Sequence, residues 1–288
     1  MRKNVVLNSP RLLELKRKKH KSARKKMTIF LIILFLIFLG LSFASRIPAF
    51  NINNVSVSGN RIVESKDIEN IIKSEISGHY LWLFPKTNFL IYPKHQILNE
   101  LNNKFKRLKS ISIGVDNFKS LNVSVSEYEG KYLWCGTLIP ALRSNSEDNK
   151  CYFLDSDGYI FDEAPYFSGN VYFKFYGDLN EENPTGSYFM KDKFTKIVEF
   201  KNTIEKMNLK PTAFWLDNNR EEGSFSISSE PAMGPSIIFK IDSDYENMAE
   251  NLQAAISTEP LHTDLLTKLP SLLYLDLRFG NKVYYKFK

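Results

Sequence analysis

The sequence predicts an α+β protein: an N-terminal transmembrane helix, a small βααββ domain, and then a larger domain of mixed sheet with flanking helices. Residues 27–45 are nineteen in a row without a charge, enough to form a membrane span. Beyond them, apolar residues recur at every second position or at helical spacing, in short runs separated by Gly, Pro, Asn and Asp. The predicted segments are a basic tail (1–26), the helix (27–45), a first domain (50–128) and a second domain (129–288).

The net charge of +7 comes from the N-terminal tail. Residues 1–26 hold eleven Lys or Arg and one acid, Glu14, whereas residues 47–288 hold 27 Lys or Arg and 31 Asp or Glu. Binding of nucleic acid by the main body therefore lacks its usual electrostatic support. The basic tail is better interpreted as an orientation signal and a contact for lipid headgroups.

The charges beside the apolar stretch indicate its orientation. Nineteen helical residues span roughly 28 Å, close to the hydrocarbon thickness of a bilayer. Arg24, Lys25 and Lys26 precede the stretch, and a basic cluster in that position keeps the N-terminus in the cytoplasm. We therefore expect a single-pass protein of the plasma or inner membrane, in contact with lipid through residues 27–45, with both domains outside the cytoplasm.

A cleaved signal peptide is an alternative interpretation of this stretch. Ser42-Phe43-Ala44 fits the small-x-small cleavage pattern. The 26-residue basic region and an apolar core longer than the usual length of about 7–15 residues argue against cleavage. A buried core helix is a less favoured interpretation, since this stretch is apolar all round and has no polar face.

The first domain shows the order β-α-α-β-β. An alternating strand, Val55–Ser58, ends at a Gly-Asn turn, and a helix with Ser65 as its expected N-cap follows. A second helix opens with Pro93, which suits a first helical position. Two more alternating strands complete the domain, Ile111–Val115 and Leu121–Val125. We expect a small sheet with both helices on one face.

The second domain alternates short aromatic-rich strands with two predicted helices. Apolar faces between Phe194 and Met207 and between Tyr245 and Ile256 predict the helices. The last predicted element is a hairpin with its turn around Gly280. The predicted strands are Tyr132–Cys135, Cys151–Leu154, Tyr159–Phe161, Val171–Phe175, Thr212–Leu216, Phe225–Ser228, Ile237–Ile241, Leu272–Leu277 and Val283–Phe287.

The sequence offers no set of residues typical of catalysis, a metal site or a bound cofactor. It contains no Gly-x-Ser-x-Gly, no P-loop and no Gly-x-Gly-x-x-Gly motif, and its four histidines are scattered. Asp155, Asp157 and Asp162 lack the spacing of a calcium loop, so a hairpin turn explains them better. Glu127 and Glu129 could serve sugar hydrolysis, but solvated acids at a strand end are far commoner. We expect a protein that is not an enzyme and takes no small-molecule substrate.

The two cysteines of the chain, Cys135 and Cys151, would both lie outside the cytoplasm. They bracket a polar loop, and a disulfide that closes it would add roughly 3 kcal/mol of stability in the chain-entropy model. The alternative is two separate buried thiols. A disulfide would be a structural link, without a part in chemistry.

Three segments of the chain resemble the FtsQ/DivIB family of bacterial cell-division proteins. VSVSGNRIVESKDI in the first domain, CYFLDSDGYIFDEAP and the final LYLDLRFGNKVYYK are similar to segments of that family. The first domain also looks like a POTRA domain, whereas the cysteine pair and the loop Arg143–Lys150 depart from the family pattern. The resemblance implies a non-enzymatic scaffold at the division septum, with divisome partners of the FtsB/DivIC and FtsL type.

The last strand is the expected binding site. An unpaired strand edge attracts another chain unless it is protected, and the resemblance implies that partners add a strand there. The alternative is that Lys282, Lys286 and Lys288 prevent pairing and that the aromatic side chains belong to the core. The candidate partner-binding residues are Arg278, Phe279, Lys282, Val283, Tyr284, Tyr285 and Phe287.

Two other functions stay open at the level of sequence. A POTRA-containing envelope protein could serve in protein transport or assembly, which would need a barrel or channel partner. A wall-processing enzyme is the third hypothesis, and it lacks a catalytic set of residues.

Overall fold

The structure, a computed structural model, describes residues 10–137, 150–179, 183–217, 219–227 and 234–288. It is a mixed α+β protein with an N-terminal apolar helix and a large multi-stranded sheet, which confirms the predicted class. The chain divides into two compact units. The first comprises Met1–Lys104 with Ser110–Ser126, and the second comprises Phe105–Lys109 with Glu127–Lys288.

Helix α1 runs from Pro10 to Ser45 and contains 36 residues. It begins well before Met27, so the described part of the basic tail and the apolar stretch form one helix. Proline suits a first helical turn, and the Leu, Lys, Arg and Ala residues that dominate positions 11–26 have high helix propensity. The apolar part of α1 is long enough to cross a bilayer, and the rest of the protein covers little of it.

After α1 the chain follows the predicted order of strand, two helices and two strands, with a short hairpin inserted between the helices. The elements are β1 (Asn54–Ser58), α2 (Ser65–Glu75), β2 (His79–Tyr80), β3 (Phe84–Pro85), α3 (Lys94–Lys104), β4 (Leu108–Asp116) and β5 (Ser120–Glu127). The sheet order is β1-β5-β4, with β1 parallel to β5. Ile68 and Ile72 of α2, Ile97 and Leu101 of α3 and Leu121 of β5 are fully buried. The apolar positions of the sequence pattern therefore form the core of this unit.

The expectation that Ser65 is an N-cap was wrong. Helix α2 begins at Ser65, and Glu64 occupies the N-cap position without a side-chain hydrogen bond. The Ser65 hydroxyl donates to Asn60 Oδ1 (3.2 Å) and accepts from Asn60 Nδ2 (3.0 Å). Asn60 Nδ2 also donates to the carbonyl of Val63 (2.7 Å). The Ser65 hydroxyl therefore bonds Asn60 in the turn after β1 and does not cap the N-terminus of α2.

The C-terminal end of α1 is held by polar side chains of the first unit. The carbonyl of Ser45 accepts hydrogen bonds from the side-chain amides of Asn51 (3.0 Å) and Asn88 (3.1 Å). Ser42 is buried and its hydroxyl donates to the carbonyl of Leu83 (3.0 Å). The last carbonyls of a helix lack partners within the helix, so two of these bonds satisfy a group that needs them. We call Ser42, Asn51 and Asn88 the helix clasp.

The second unit is built on one nine-stranded sheet. Its elements are β6 (Tyr132–Trp134), β7 (Cys151–Leu154), β8 (Ile160–Ala164), β9 (Lys174–Tyr176), α4 (Phe194–Lys206), β10 (Ala213–Asp217), β11 (Glu222–Ser226), β12 (Ser236–Lys240), α5 (Tyr245–Ile256), α6 (Leu261–Lys268), β13 (Leu272–Phe279) and β14 (Lys282–Phe287). The strand order is β14-β13-β12-β11-β10-β9-β6-β7-β8. Strand β9 is parallel to both neighbours and β12 is parallel to β13, so the sheet is mixed, as predicted.

Phenylalanine rings form the centre of the core in the second unit. Phe175, Phe214, Phe225 and Phe239 come from the neighbouring strands β9, β10, β11 and β12, and all are almost completely buried. Successive ring centroids lie 5.5, 5.5 and 5.1 Å apart. Such pairs contribute about 0.5–1.5 kcal/mol each beyond simple burial. The row of rings therefore stabilises the register of four strands.

The second unit differs from the prediction in local detail. Helix α6 was not predicted, because its eight residues are too few to show a clear helical period. The strand expected at Val171–Phe175 lies instead at Lys174–Tyr176, and the strand expected at Phe225–Ser228 begins at Glu222. Residues 143–149 of the polar loop, and Ser228, lie outside the described residues.

Candidate functional site

The C-terminal hairpin forms one end of the nine-stranded sheet. Strands β13 and β14 are antiparallel, and Leu275 pairs with Tyr285. Gly280, with φ +65°, is the first of the two residues between the paired positions Phe279 and Lys282. A glycine at that position is typical of a type II′ hairpin turn. All seven candidate binding residues therefore lie on one hairpin.

The two faces of β14 have different surroundings. Val283 and Phe287 are partly buried against the main core, with Tyr285 between them on the same face. Tyr285 is nevertheless 37 % exposed, and its ring lies 5.9 Å from that of Phe287. Val283 and Phe287 thus fit the alternative in which the apolar side chains of β14 belong to the core, whereas Tyr285 fits it only in part.

The opposite face of the hairpin carries two more exposed rings. Tyr284 is 49 % exposed and Phe279 is 55 % exposed, and their ring centroids lie 5.1 Å apart in an edge-to-face arrangement. Lys282 and Lys286 are exposed on the same strand. The aromatic side chains available to a partner are therefore Phe279, Tyr284 and Tyr285.

Arg278 is occupied within the fold. Its guanidinium donates to both carboxylate oxygens of Asp276, from Nε at 2.9 Å and from Nη2 at 2.6 Å. Nη1 donates to Glu222 Oε1 of strand β11 at 2.8 Å. We call Arg278, Asp276 and Glu222 the hairpin network. Bidentate pairing of this kind fixes the direction of an arginine side chain, so Arg278 positions the hairpin, and three of its five guanidinium N–H donors are engaged within the fold.

The hairpin network keeps its carboxylate ionised. Burial opposes ionisation of Asp276, but the hydrogen bonds from the Arg278 side chain and backbone and the nearby positive charge outweigh it, so the pKa of Asp276 lies below its usual value. Hydrogen bonds to Asp276 and Glu222 raise the pKa of Arg278. Asp276 and Arg278 are therefore both charged across the physiological pH range.

The outer edge of β14 contrasts with the other end of the sheet. In the part of the chain that the structure describes, no strand pairs with that edge of β14. At the far end, Ile160, the first residue of β8, has backbone partners: it donates to the carbonyl of Ser187 (2.9 Å) and accepts from the backbone N–H of Gly186 (2.7 Å). Both outer strands carry charges of the kind that discourages strand pairing, Asp162 and Glu163 on β8 and Lys282 and Lys286 on β14. The sheet therefore has one end whose outer strand is covered at Ile160, and one end without a partner strand among the described residues.

The cysteines form a link at the other side of the same sheet. Cys135 and Cys151 are joined by a disulfide, with a sequence separation of 16 residues. Cys135 follows β6 and Cys151 opens β7, so the bond closes the chain between two paired strands. Cys135 is buried.

The acidic residues considered for calcium have separate roles. Asp155 Oδ1 accepts hydrogen bonds from the backbone N–H of Asp157 (2.9 Å) and of Tyr159 (2.8 Å), which builds the turn between β7 and β8. Asp162 Oδ2 accepts from Arg107 Nε at 2.7 Å. The predicted hairpin turn is confirmed. Glu129, considered for sugar hydrolysis, pairs with Lys131 at 2.9 Å.

The sequence analysis missed Asp276 and Glu222. Asp276 and Arg278 are two positions apart on one strand, a spacing that places both side chains on the same face of a sheet. That spacing was the available signal for their pairing. Glu222 is 56 residues away along the chain, and only the strand order brings it to Arg278.

Comparison with known proteins does not identify a family. No family model matches the chain, and no curated protein matches it at a significant level.

Proposed function

We propose that the chain is a non-enzymatic, single-pass membrane scaffold of bacterial cell division, of the FtsQ/DivIB kind. In this proposal its two folded units lie outside the cytoplasm, and a partner of the FtsB/DivIC or FtsL type adds a strand to β14. The support comes from three sources: the apolar helix, the resemblance of sequence segments, and the open edge of the sheet.

The helix clasp supports a permanent anchor. Ser42 and Ser45 lie at the end of the apolar stretch, and both make hydrogen bonds with residues of the first unit. Cleavage after Ala44 would remove Ser42 and its bond to Leu83. A leader that is discarded after export has no need of contacts with the mature fold, so these bonds favour the anchor over the signal peptide.

The element order of the first unit supports a POTRA-like domain. A POTRA domain has the order β-α-α-β-β, and the chain from β1 to β5 has this order once the short β2–β3 hairpin is set aside. The position directly after an apolar helix also agrees with the arrangement that the family resemblance implies.

The difference between the two ends of the large sheet is the observation on which the proposal chiefly depends. Backbone N–H and C=O groups on an open edge pair readily with an extended segment of another chain. The start of β8 is covered, because Gly186 and Ser187 bond Ile160, whereas β14 presents its edge together with exposed aromatic side chains. Aromatic residues are frequent anchors at the centre of protein interfaces.

The direct test is a charge placed on the open edge. Tyr285→Glu puts a carboxylate beside the edge, where pairing with another strand would desolvate it. We expect the captured partner to fall by about tenfold or more when the full-length protein is extracted from membranes and purified with its partners. Unchanged capture with Tyr285→Glu would contradict the proposal.

Tyr166→Glu is the matched control. Tyr166 belongs to the same unit, is 89 % exposed and lies away from β13 and β14 in the chain. It should leave both capture and the thermal melting of the protein unchanged. Deletion of residues 282–288 is a weaker test, because it also removes Val283 and Phe287 from the edge of the core. A fluorescent fusion at midcell separates a division scaffold from a transport module, which would spread along the envelope.

A further inference from the structure

The first unit carries a group of exposed apolar residues beside the end of α1. The turn between β2 and β3 contains Leu81 and Trp82, whose side chains are 77 % and 91 % exposed. The segment after this hairpin exposes Leu90, at 75 %. We call Leu81, Trp82 and Leu90 the anchor-side patch. Large apolar residues exposed together are uncommon on a soluble surface and usually mark a contact.

The backbone of this turn is held in an unfavourable conformation. Leu81 has φ +50° and Trp82 has φ +64°. Residues other than glycine seldom adopt such angles, and each costs on the order of 1–3 kcal/mol. This turn holds the side chains of Leu81 and Trp82 in solvent, so they gain no burial within the protein that would offset the backbone strain.

Contacts with α1 fix the level of the turn along the helix. The rings of Phe84 and Phe38 lie 5.3 Å apart, and Ser42 donates to the carbonyl of Leu83. Phe38 lies seven residues before Ser45, a distance of about 10 Å along a helix axis. The hairpin therefore lies beside the last two turns of the apolar stretch, and not beyond its end.

The carbonyl groups of the turn have partners supplied by α1 and the residue after it. Leu83 O accepts from Ser42 Oγ (3.0 Å) and from Arg46 Nε (3.3 Å), and Trp82 O accepts from Arg46 Nη2 (3.2 Å). Backbone groups without partners are costly in an apolar medium. These hydrogen bonds lower the free-energy cost of bringing the backbone of the turn close to the apolar part of a bilayer.

An apolar groove adjoins the patch. It has a volume of about 430 Å³ and lies between the last turns of α1 and the segment that follows β3. Asn88 is the one amide side chain among its lining residues, and its Nδ2 is engaged with the carbonyl of Ser45. The lining residues are Leu41, Ala44, Ser45, Phe50, Phe84, Asn88, Phe89, Leu90 and Ile91.

We infer that the anchor-side patch is a second lipid contact, which inserts Leu81, Trp82 and Leu90 into the outer boundary of the bilayer. The partner is a phospholipid surface because the patch continues the apolar surface of α1 at the same level. Tryptophan is enriched at the boundary between headgroups and acyl chains, and the groove suits an acyl chain. This inference rests on the proposed membrane anchor.

The test uses the fluorescence of Trp82 in the full-length protein. The protein is reconstituted into vesicles of phosphatidylcholine and phosphatidylglycerol whose acyl chains carry bromine either near the headgroup or at the chain centre. Subtracting the spectrum of Trp82→Phe isolates Trp82 from Trp134 and Trp215. We expect bromine near the headgroup to reduce the Trp82 signal about twofold, and bromine at the chain centre to reduce it less. An unquenched Trp82 overturns the inference.

Ile62→Trp in the Trp82→Phe background is the matched control. Ile62 is 66 % exposed and follows the C-terminal end of β1. The other end of that strand, at Asn54, is the one that follows Asn51 of the helix clasp along the chain. A tryptophan at position 62 should not be quenched, and equal quenching at both positions overturns the inference in favour of general adsorption.

Alkaline extraction of the vesicles separates this inference from the anchor on which it rests. Protein that leaves the vesicles contradicts the anchor, and the inference with it. Protein that stays while Trp82 is unquenched contradicts the patch alone.

Discussion

At the scale of single residues, Arg278 shows how a candidate binding residue can prove to be a positioning residue. Its place in the segment that resembles the FtsQ/DivIB family made it a candidate for partner contact, but its side-chain hydrogen bonds are to Asp276 and Glu222. Asp276 is buried, so its charge depends on the guanidinium. The hairpin network thus links β13 to β11 next to the turn that leads into β14.

Removing the guanidinium should weaken the second unit. In Arg278→Leu, the buried carboxylate of Asp276 loses its partner, and we expect the free energy of unfolding to fall by about 2–3 kcal/mol. Chemical denaturation measures this change. Arg278→Lys keeps the charge without the planar fork and should lose less. Equal stability of Arg278→Leu and the wild type would show that the network contributes nothing.

The same network gives a pH dependence with a defined sign. The pKa of Asp276 is lower in the folded protein than its ordinary value of 3.8. Its contribution to stability is therefore fully present above that value and is lost as the pH falls through the lowered pKa of the folded state. Denaturation at a series of acidic pH values should show the wild type approaching Arg278→Leu in stability. A constant difference at all pH values would contradict this role of Asp276.

At the scale of elements, the sequence patterns predicted faces better than boundaries. Ile68, Ile72, Ile97 and Leu101 recur at the spacing of a helix face in the sequence, and all are buried. The β2–β3 hairpin was missed, because two-residue strands are too short to show alternation. The final hairpin was predicted from its turn, yet Glu222 could not be, since its contact with Arg278 depends on the order of strands in the sheet.

The link between β6 and β7 should contribute stability without affecting the open edge. Replacing both cysteines, Cys135→Ser with Cys151→Ser, should lower the free energy of unfolding by about 3 kcal/mol in the chain-entropy model. Partner capture should persist at temperatures where the variant is folded. A reducing agent should destabilise the wild type and leave the double variant unaffected. If intact mass shows no gain of two hydrogens on reduction of the wild type, the bond is absent from the native protein.

At the scale of the whole molecule, the first unit carries an apolar helix and the second unit carries an open sheet edge. The helix clasp belongs to the first unit, and the hairpin network belongs to the second. Anchoring and strand pairing therefore depend on different residues. Variants of one feature should leave the other unchanged, which makes the two parts of the proposed function separately testable.

Protease accessibility tests the proposed orientation. Protease added to the outside of spheroplasts should digest residues 47–288 and spare the basic tail, because the positive charges before the span keep it in the cytoplasm. The untreated protein should retain its full mass of 33.4 kDa. A chain that begins at Ser45 would establish cleavage, and protection of the folded units from external protease would reverse the orientation.

The covered end of the large sheet has a consequence for self-association. If copies of the chain stacked by pairing β14 of one with β8 of the next, each addition would create another identical site and a filament would grow. Gly186 and Ser187 already take the hydrogen bonds of Ile160 that such a copy would need. Two β14 strands placed against each other would bring their lysines together. Both features oppose polymerisation of the chain through its own strand edges.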